Sequence, residues 1–168
     1  MNDAESIISS RFIAESENLP DFHPLLTQAQ SRTYHAAMRI LNDYRSVLIC
    51  EETGTGKTWV AAAIASSVDE RIMLIAPAHL LAQWDDVMNQ FGVHYQAYSY
   101  QMASLDRIPE QNEKKLWIVD EAHYLKNSAT LRYRTLYRLM AGHRVCLLTA
   151  TPVSITFFHC IKNFHNFF

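Results

Sequence analysis

The 168-residue chain is 49% hydrophobic and 19% charged, the balance of a folded domain with a core of its own rather than a disordered tail or a collagen-like fibre. No apolar run approaches the ~20 residues of a membrane span, and the N-terminus "MNDAESIISS" has acids and no early basic cluster, unlike a secretory signal. A formal net charge of −2 does not announce a nucleic-acid binder through bulk charge, and three cysteines without metal spacing (Cys50, Cys146, Cys160) point to reduced core thiols in an intracellular, cytoplasmic protein.

Residues 1–24 are polar and acidic, with Pro20 and Pro24, and form a short helix or a loose arm. From Leu25 to Leu41 apolar residues recur at helical spacing and stop near Asn42. "SVLIC" (46–50) is a buried strand, "EETGTGKT" (51–58) a loop, and "WVAAAIASSV" behind it a helix. "IMLIA" (72–76) is a second buried strand, ended by Pro77, and residues 79–91 are an amphipathic helix ended by Gly92. Residues 93–100 are a third strand, and 104–115 a polar surface loop around Pro109. "LWIVD" (116–120) is a fourth strand, 129–141 a helix ended by Gly142, and "RVCLLTA" (144–150) a fifth strand before Pro152. The tail 154–168 holds five of the eight phenylalanines and suits a helix with an apolar face; its His159, Cys160 and His165 fit no zinc spacing. Short apolar strands alternating with helices predict an α/β fold of three layers, a mainly parallel central sheet with helices on both faces.

Charge is unevenly spread. Glu121 is the last acid, and Lys126, Arg132, Arg134, Arg138, Arg144 and Lys162 follow it unopposed, as a basic face or as an ordinary solvated helix surface.

Three stretches carry chemistry. Only four glycines occur in the chain, and two of them, Gly54 and Gly56, sit in the loop between the first strand and its helix. There a glycine-rich loop points successive backbone N–H groups at a polyphosphate, with backbone angles closed to bulky residues. Lys57 would reach the β- and γ-phosphates, the Thr58 hydroxyl would ligate Mg²⁺, and the helix start would add its positive dipole end. In "LWIVDEAHYLKN" (116–127), Asp120 and Glu121 close a buried strand, supplying one carboxylate for Mg²⁺ and a second to activate water. In "LLTATP" (147–152), Thr149 and Thr151 offer hydroxyls that would sense the γ-phosphate through His123.

Together these stretches resemble the helicase-like ATPases of superfamily two, and most closely the Swi/Snf-type branch. That branch has D-E-x-G-x-G-K-T where this chain has "EETGTGKT", a D-E-A-H box followed by K-N where it has "DEAHYLKN", and T-G/A-T-P where it has "TATP". Its P-x-x-L-x-x-Q/N-W segment matches "APAHLLAQW" (76–84), its S-Y element matches Ser99 and Tyr100, and its L-x-x-x-Q motif matches Leu26 to Gln30, with Gln28 as a rival. The strict G-x-x-x-x-G-K-[ST] form fails at Glu51, and His79 departs from the small hydroxyl residue usual there.

The resemblance covers residues 24–153 and implies a RecA-like P-loop lobe over 25–153, between an arm (1–24) and a divergent tail (154–168). It implies ATP and Mg²⁺ as ligands. Glu52, Thr53, Gly54, Thr55, Gly56, Lys57 and Thr58 would hold the phosphates and Gln30 the adenine. Thr58 and Asp120 would hold Mg²⁺, Lys57, Asp120 and Glu121 would carry catalysis, and His123, Thr149 and Thr151 the coupling. Pro77, His79, Gln83, Ser99, Tyr100, Lys126 and Asn127 would face nucleic acid, duplex DNA first, with RNA polymerase or another protein complex as a further partner. Trp84, Tyr100 and Tyr124 serve as well for plain core packing. The family's second lobe, which brings transition-state arginines, has no counterpart after "TATP", so a first lobe with weak turnover of its own is expected. The alternatives are a nucleotide- or partner-binding module that does not hydrolyse, or an inactive gene fragment.

Overall fold

Five strands, β1 (Ser46–Cys50), β2 (Arg71–Ala76), β3 (Tyr95–Ser99), β4 (Lys115–Val119) and β5 (Arg144–Thr149), form one sheet in the order β1-β5-β4-β2-β3. Every pairing is parallel, as the helix-strand alternation predicts. This computed structural model describes residues 23–109 and 113–151; the acidic arm to residue 22 and the tail, with Pro152, Cys160 and the phenylalanine cluster, lie outside the described residues.

Parallel neighbours cannot be joined by tight turns, so each connection crosses a face of the sheet. Helices α1 (Gln28–Tyr44), α2 (Lys57–Ser66) and α3 (Leu81–Gln90) cover one face, and α4 (Tyr100–Ser104) and α5 (Leu131–Met140) cover the other. The strands divide their side chains between the two faces with period two. Leu116 and Ile118 of β4, Ile72 and Leu74 of β2 and Cys146 and Leu148 of β5 join the first core. Trp117, Val119, Met73, Ile75, Val145 and Leu147 join the second. With both faces covered, a central strand has no polar side to show, which is why β4 is buried at every position and its sequence is a nearly continuous apolar run.

The helices start where local chemistry directs. Thr27 caps α1 in a reciprocal box, its hydroxyl accepting the Gln30 N–H while the Gln30 side-chain oxygen accepts the Thr27 N–H. The helix therefore begins at Gln28, three residues later than expected, and Leu25 is left outside it and exposed. It also runs past Asn42, because Arg144 Nη2 donates to Asn42 Oδ1 at 2.8 Å and occupies the group that would have stopped it locally. A left-handed Arg45 ends it instead. The chain turns into α4 at Tyr100, where a strand end had been expected, because Ser99 acts as an N-cap accepting from the Met102 N–H.

One expectation fails. Cys146 is a buried core thiol, but Cys50 is exposed, since it closes β1 where the chain leaves the sheet. Of the described basic residues after Glu121, Arg138 and Arg144 are paired at separate places. Arg138 bonds Asp106 at 2.8 Å, and Arg144, at the other end of the strands, reaches Glu70 and Asn42.

Burial pushes the Cys146 thiol up to about 12, so it carries almost no thiolate near neutrality. At pH 8 an alkylating reagent is expected to label Cys50 in the native chain and Cys146 only after unfolding, as read by peptide mapping. Native labelling of Cys146 would mean that β5 does not lie in the core.

Candidate nucleotide site at the carboxyl edge of the sheet

Because all five strands run the same way, their carboxyl ends lie along one edge. That edge receives the glycine loop after β1, Pro77 after β2, Ser99 at the end of β3, Asp120 and Glu121 after β4, and Thr149 to Thr151 at the end of β5. Open parallel sheets bind ligands at this edge. A shallow groove lined by Asn42, Glu70, Lys114 and Arg144 among others lies at the opposite edge.

The glycines do what their scarcity suggests. Gly54 and Gly56 have φ of +85° and +88°, in the left-handed region that side chains disfavour. Gly56 is also the N-cap of α2, so the first N–H groups of that helix, which have no partner within it, open onto the loop. A Cβ at Gly56 would collide with Gln30 Nε2. The loop is held from two sides: Gln30 Nε2 donates to the Thr55 carbonyl at 3.2 Å, and Thr33 Oγ1 donates to Glu51 Oε1 at 2.7 Å. Lys57 Nζ donates to the carbonyls of Glu51 and Glu52, both at 2.7 Å, so its ammonium is seated in the loop. Thr58 follows, half-buried; Glu52 and Thr53 are exposed.

Asp120 is buried at 8% exposure, and both of its carboxylate oxygens are engaged. Trp84 Nε1 donates to Oδ2 at 2.9 Å, and the Glu121 N–H donates to Oδ1 at 2.8 Å. Burial holds its carboxyl above the usual carboxylate range, with the Trp84 and Glu121 bonds and the nearby Lys57 charge pulling the other way. Glu121 sits in the left-handed region at φ 51°, ψ 48°, unusual for a residue with a Cβ. His123 Nδ1 lies 3.0 Å from Glu121 Oε2. The Tyr100 hydroxyl donates to the carbonyl of Asp120 at 2.7 Å and lies 3.3 Å from that of Glu121. Tyr124 stacks between Tyr100 and His123, with ring centroids 5.0 Å and 4.7 Å away.

The structure thus brings Lys57, Thr58, Asp120 and Glu121 to one edge, and it seats Gln30 on the glycine loop. His123 is beside Glu121, while Thr149 and Thr151 bond each other through their hydroxyls at 3.3 Å. Of the residues expected to face nucleic acid, His79, Gln83, Lys126 and Asn127 are exposed, and Ser99 is half-buried as a helix cap. Pro77 is buried, and Tyr100, at 6% exposure, turns its hydroxyl inward to the acidic pair. Sequence reasoning missed the two inward bonds of Trp84 and Tyr100. The available signal was chemical: a buried indole N–H or phenol O–H needs a partner, and the buried polar groups nearby were Asp120 and its backbone.

The residues present fit a nucleotide with Mg²⁺. Mg²⁺ favours oxygen ligands and is held by one or two carboxylates together with phosphates and water. Asp120 and Thr58 make such a set, and among the described residues no cluster of three or more His, Cys, Asp or Glu forms a cage of its own. The charge that burial disfavours on Asp120 is one that a divalent cation would offset.

Comparison with known proteins agrees with this fold. The family model of the type III restriction enzyme res subunit matches residues 21–107, and that of the SNF2-related domain matches residues 85–162. The uncharacterized ATP-dependent helicase YqhH of Bacillus subtilis is 27% identical over 159 residues, covering 80% of this chain and 28% of its own length. An ATP-dependent helicase of Schizosaccharomyces pombe, fft3, is 29% identical over 143 residues, covering 63% of this chain and 15% of its own length. The chain therefore spans under a third of these relatives. Among solved structures, the SWI2/SNF2 ATPase core of Sulfolobus solfataricus, in complex with double-stranded DNA, superposes with a TM-score of 0.66 at 15% identity. It covers 88% of this chain and 37% of that one, a likeness of fold.

Substituting Gly56→Ala would force an L side chain to φ +88° and drive Gln30 off Thr55, at a cost of about 1–2 kcal/mol for the backbone alone. A melting temperature lowered by several degrees is expected, and Gln30→Ala, which also opens the capping box, should lower it as well. An unchanged melting temperature in both would mean that the loop is not braced by α1.

Proposed function

The chain belongs to the helicase-like ATPases of superfamily two, in the family of the type III restriction enzyme res subunit, as an N-terminal RecA-like lobe of Swi/Snf type; from that premise we propose that it binds ATP with Mg²⁺ and works in nucleic-acid-dependent ATP hydrolysis, with duplex DNA as the first candidate substrate. One observation supports this above the others: the fold delivers a glycine loop with Lys57 and the Asp120–Glu121 pair to the same edge of one parallel sheet.

The roles follow from the chemistry of each group. The first N–H groups of α2 and the loop amides cradle the phosphates, and Lys57 exchanges the carbonyls of Glu51 and Glu52 for phosphate oxygens. Asp120 and Thr58 hold Mg²⁺, which when bound screens phosphate charge in the transition state. Glu121 orients the attacking water and accepts its proton, with His123 beside its carboxylate. Gln30, whose amide bonds the Thr55 carbonyl and the Thr27 N–H, would turn to the base. His79, Gln83, Lys126 and Asn127, exposed beyond the same edge, are the groups offered to a nucleic-acid backbone.

Full-rate turnover requires a second lobe closing on the nucleotide, because arginines supplied in this way contribute about 10³–10⁵ in rate where they have been measured. A second reading, a lobe that binds nucleotide without hydrolysing it, is favoured by the Lys57 ammonium already being satisfied by the loop itself.

The test is ATP hydrolysis by the purified chain with and without duplex DNA, beside Lys57→Ala. Mg·ATP at about 100 times its Kd should stabilise the wild type by about 2.7 kcal/mol and leave the variant unmoved. DNA-stimulated turnover, falling about 10²–10³-fold in Lys57→Ala, is expected of a working engine. Binding without turnover would select the second reading, and neither binding nor turnover would overturn the assignment of the loop.

A further inference from the structure

Trp84 stands out among the polar groups that the hydrolytic reading does not use. It lies on the inward face of α3, 1% exposed, in register with Val87 and Met88. Its ring packs in the core formed by α1, α2 and α3, yet its N–H leaves that core and donates to Asp120 Oδ2 at 2.9 Å. The chain offers an internal contrast in Trp117, also fully buried, whose indole N–H has no partner. Both indole N–H groups are buried, and only that of Trp84 is aimed at a carboxylate.

We propose that Trp84 is a positioning residue for the metal-binding carboxylate, fixing the rotamer of Asp120 so that its free lone pairs point out of the sheet edge. This rests on the reading of Asp120 as the Mg²⁺ ligand. A carboxylate has about four acceptor positions on its two oxygens. The Trp84 N–H takes one on Oδ2 and the Glu121 N–H takes one on Oδ1, which leaves one on each oxygen and removes rotation about the side chain. The dipeptide itself is pinned from the other layer, where the Tyr100 hydroxyl, 6% exposed, donates to the Asp120 carbonyl at 2.7 Å. Side chain and backbone of Asp120 are thus held from opposite faces of the sheet, by α3 and α4. Partners of metal ligands that orient them in this way typically contribute 10–100-fold in metal affinity.

The test uses the full chain and Mn²⁺ as the probe, its binding with ATP followed by electron paramagnetic resonance. Trp84→Phe keeps an aromatic ring and deletes the donor along with part of the indole's volume. Its affinity for Mn²⁺ with ATP is expected to fall roughly 10–100-fold, while its affinity for ATP in chelator stays at the wild-type value. A second readout is the fluorine resonance of Trp84 in wild-type chain labelled with 5-fluorotryptophan, assigned against Trp59→Phe and Trp117→Phe. This resonance should shift when Mg²⁺ is added to the ATP-bound chain, and it decides the matter if Trp84→Phe does not fold. Wild-type Mn²⁺ affinity in a folded Trp84→Phe, or a Trp84 resonance that ignores Mg²⁺, would overturn the proposal and leave the hydrolytic reading standing. A wild-type chain that binds no metal with ATP would overturn both.

Discussion

Parallel pairing is the constraint from which the rest of this molecule follows. When every strand runs in one direction, every strand needs a crossover, the crossovers bury both faces, and all carboxyl ends meet along a single edge. The glycine loop after β1 and the acidic pair after β4 are far apart in sequence, and β5 lies between their strands in the sheet. They converge because the sheet has one edge at which parallel strands can end. The same geometry sets the cost of the site. Asp120 emerges from a strand buried at every position, so its carboxylate starts in surroundings that disfavour charge, and its bonds to Trp84 and to the Glu121 N–H together with the field of Lys57 offset only part of that cost.

The acidic pair also shows why a strained residue can persist. Glu121 occupies backbone angles that cost a residue with a Cβ about 1–2 kcal/mol. It does so where the Tyr100 hydroxyl fixes the neighbouring carbonyl, the Asp120 carboxylate accepts its N–H, and His123 meets its side chain. Strain of this kind is kept only when the surroundings over-determine it, and here three independent contacts do so.

Much of the fold was legible because its signals were local. Apolar runs such as "IMLIA" and "LWIV" have room for few alternatives, and the two loop glycines announced the left-handed angles that they adopt. Sequence reasoning failed where a distant partner decided the outcome. Asn42 failed to stop α1 because Arg144, a hundred residues later, held its side chain. Tyr100 was placed at the end of a strand, yet the hydroxyl of Ser99, the last residue of β3, acts as a cap and begins α4 there. Trp84 and Tyr100 were assigned to packing or to an outer surface, and their rings do pack, but the polar atom at the tip of each is bonded to the acidic pair. Periodicity locates a ring, whereas the partner of its one polar atom depends on which strand end lies beneath it.

Helix α2 carries a consequence of its own. From Val60 to Ala65 every residue is buried, four of the six are alanine, and the helix has no outward face over that stretch. An ordinary surface helix has neutral positions where mutations accumulate without effect. This one has almost none, because a larger side chain would press on α1 or the sheet, and a polar one would be stranded in the core. Anything that tilts α2 also moves the loop that begins it, so the alanines act as the fixed datum from which the position of Lys57 is measured. A substitution in this plain apolar stretch would thus be felt at the loop, although none of its side chains touches a ligand position.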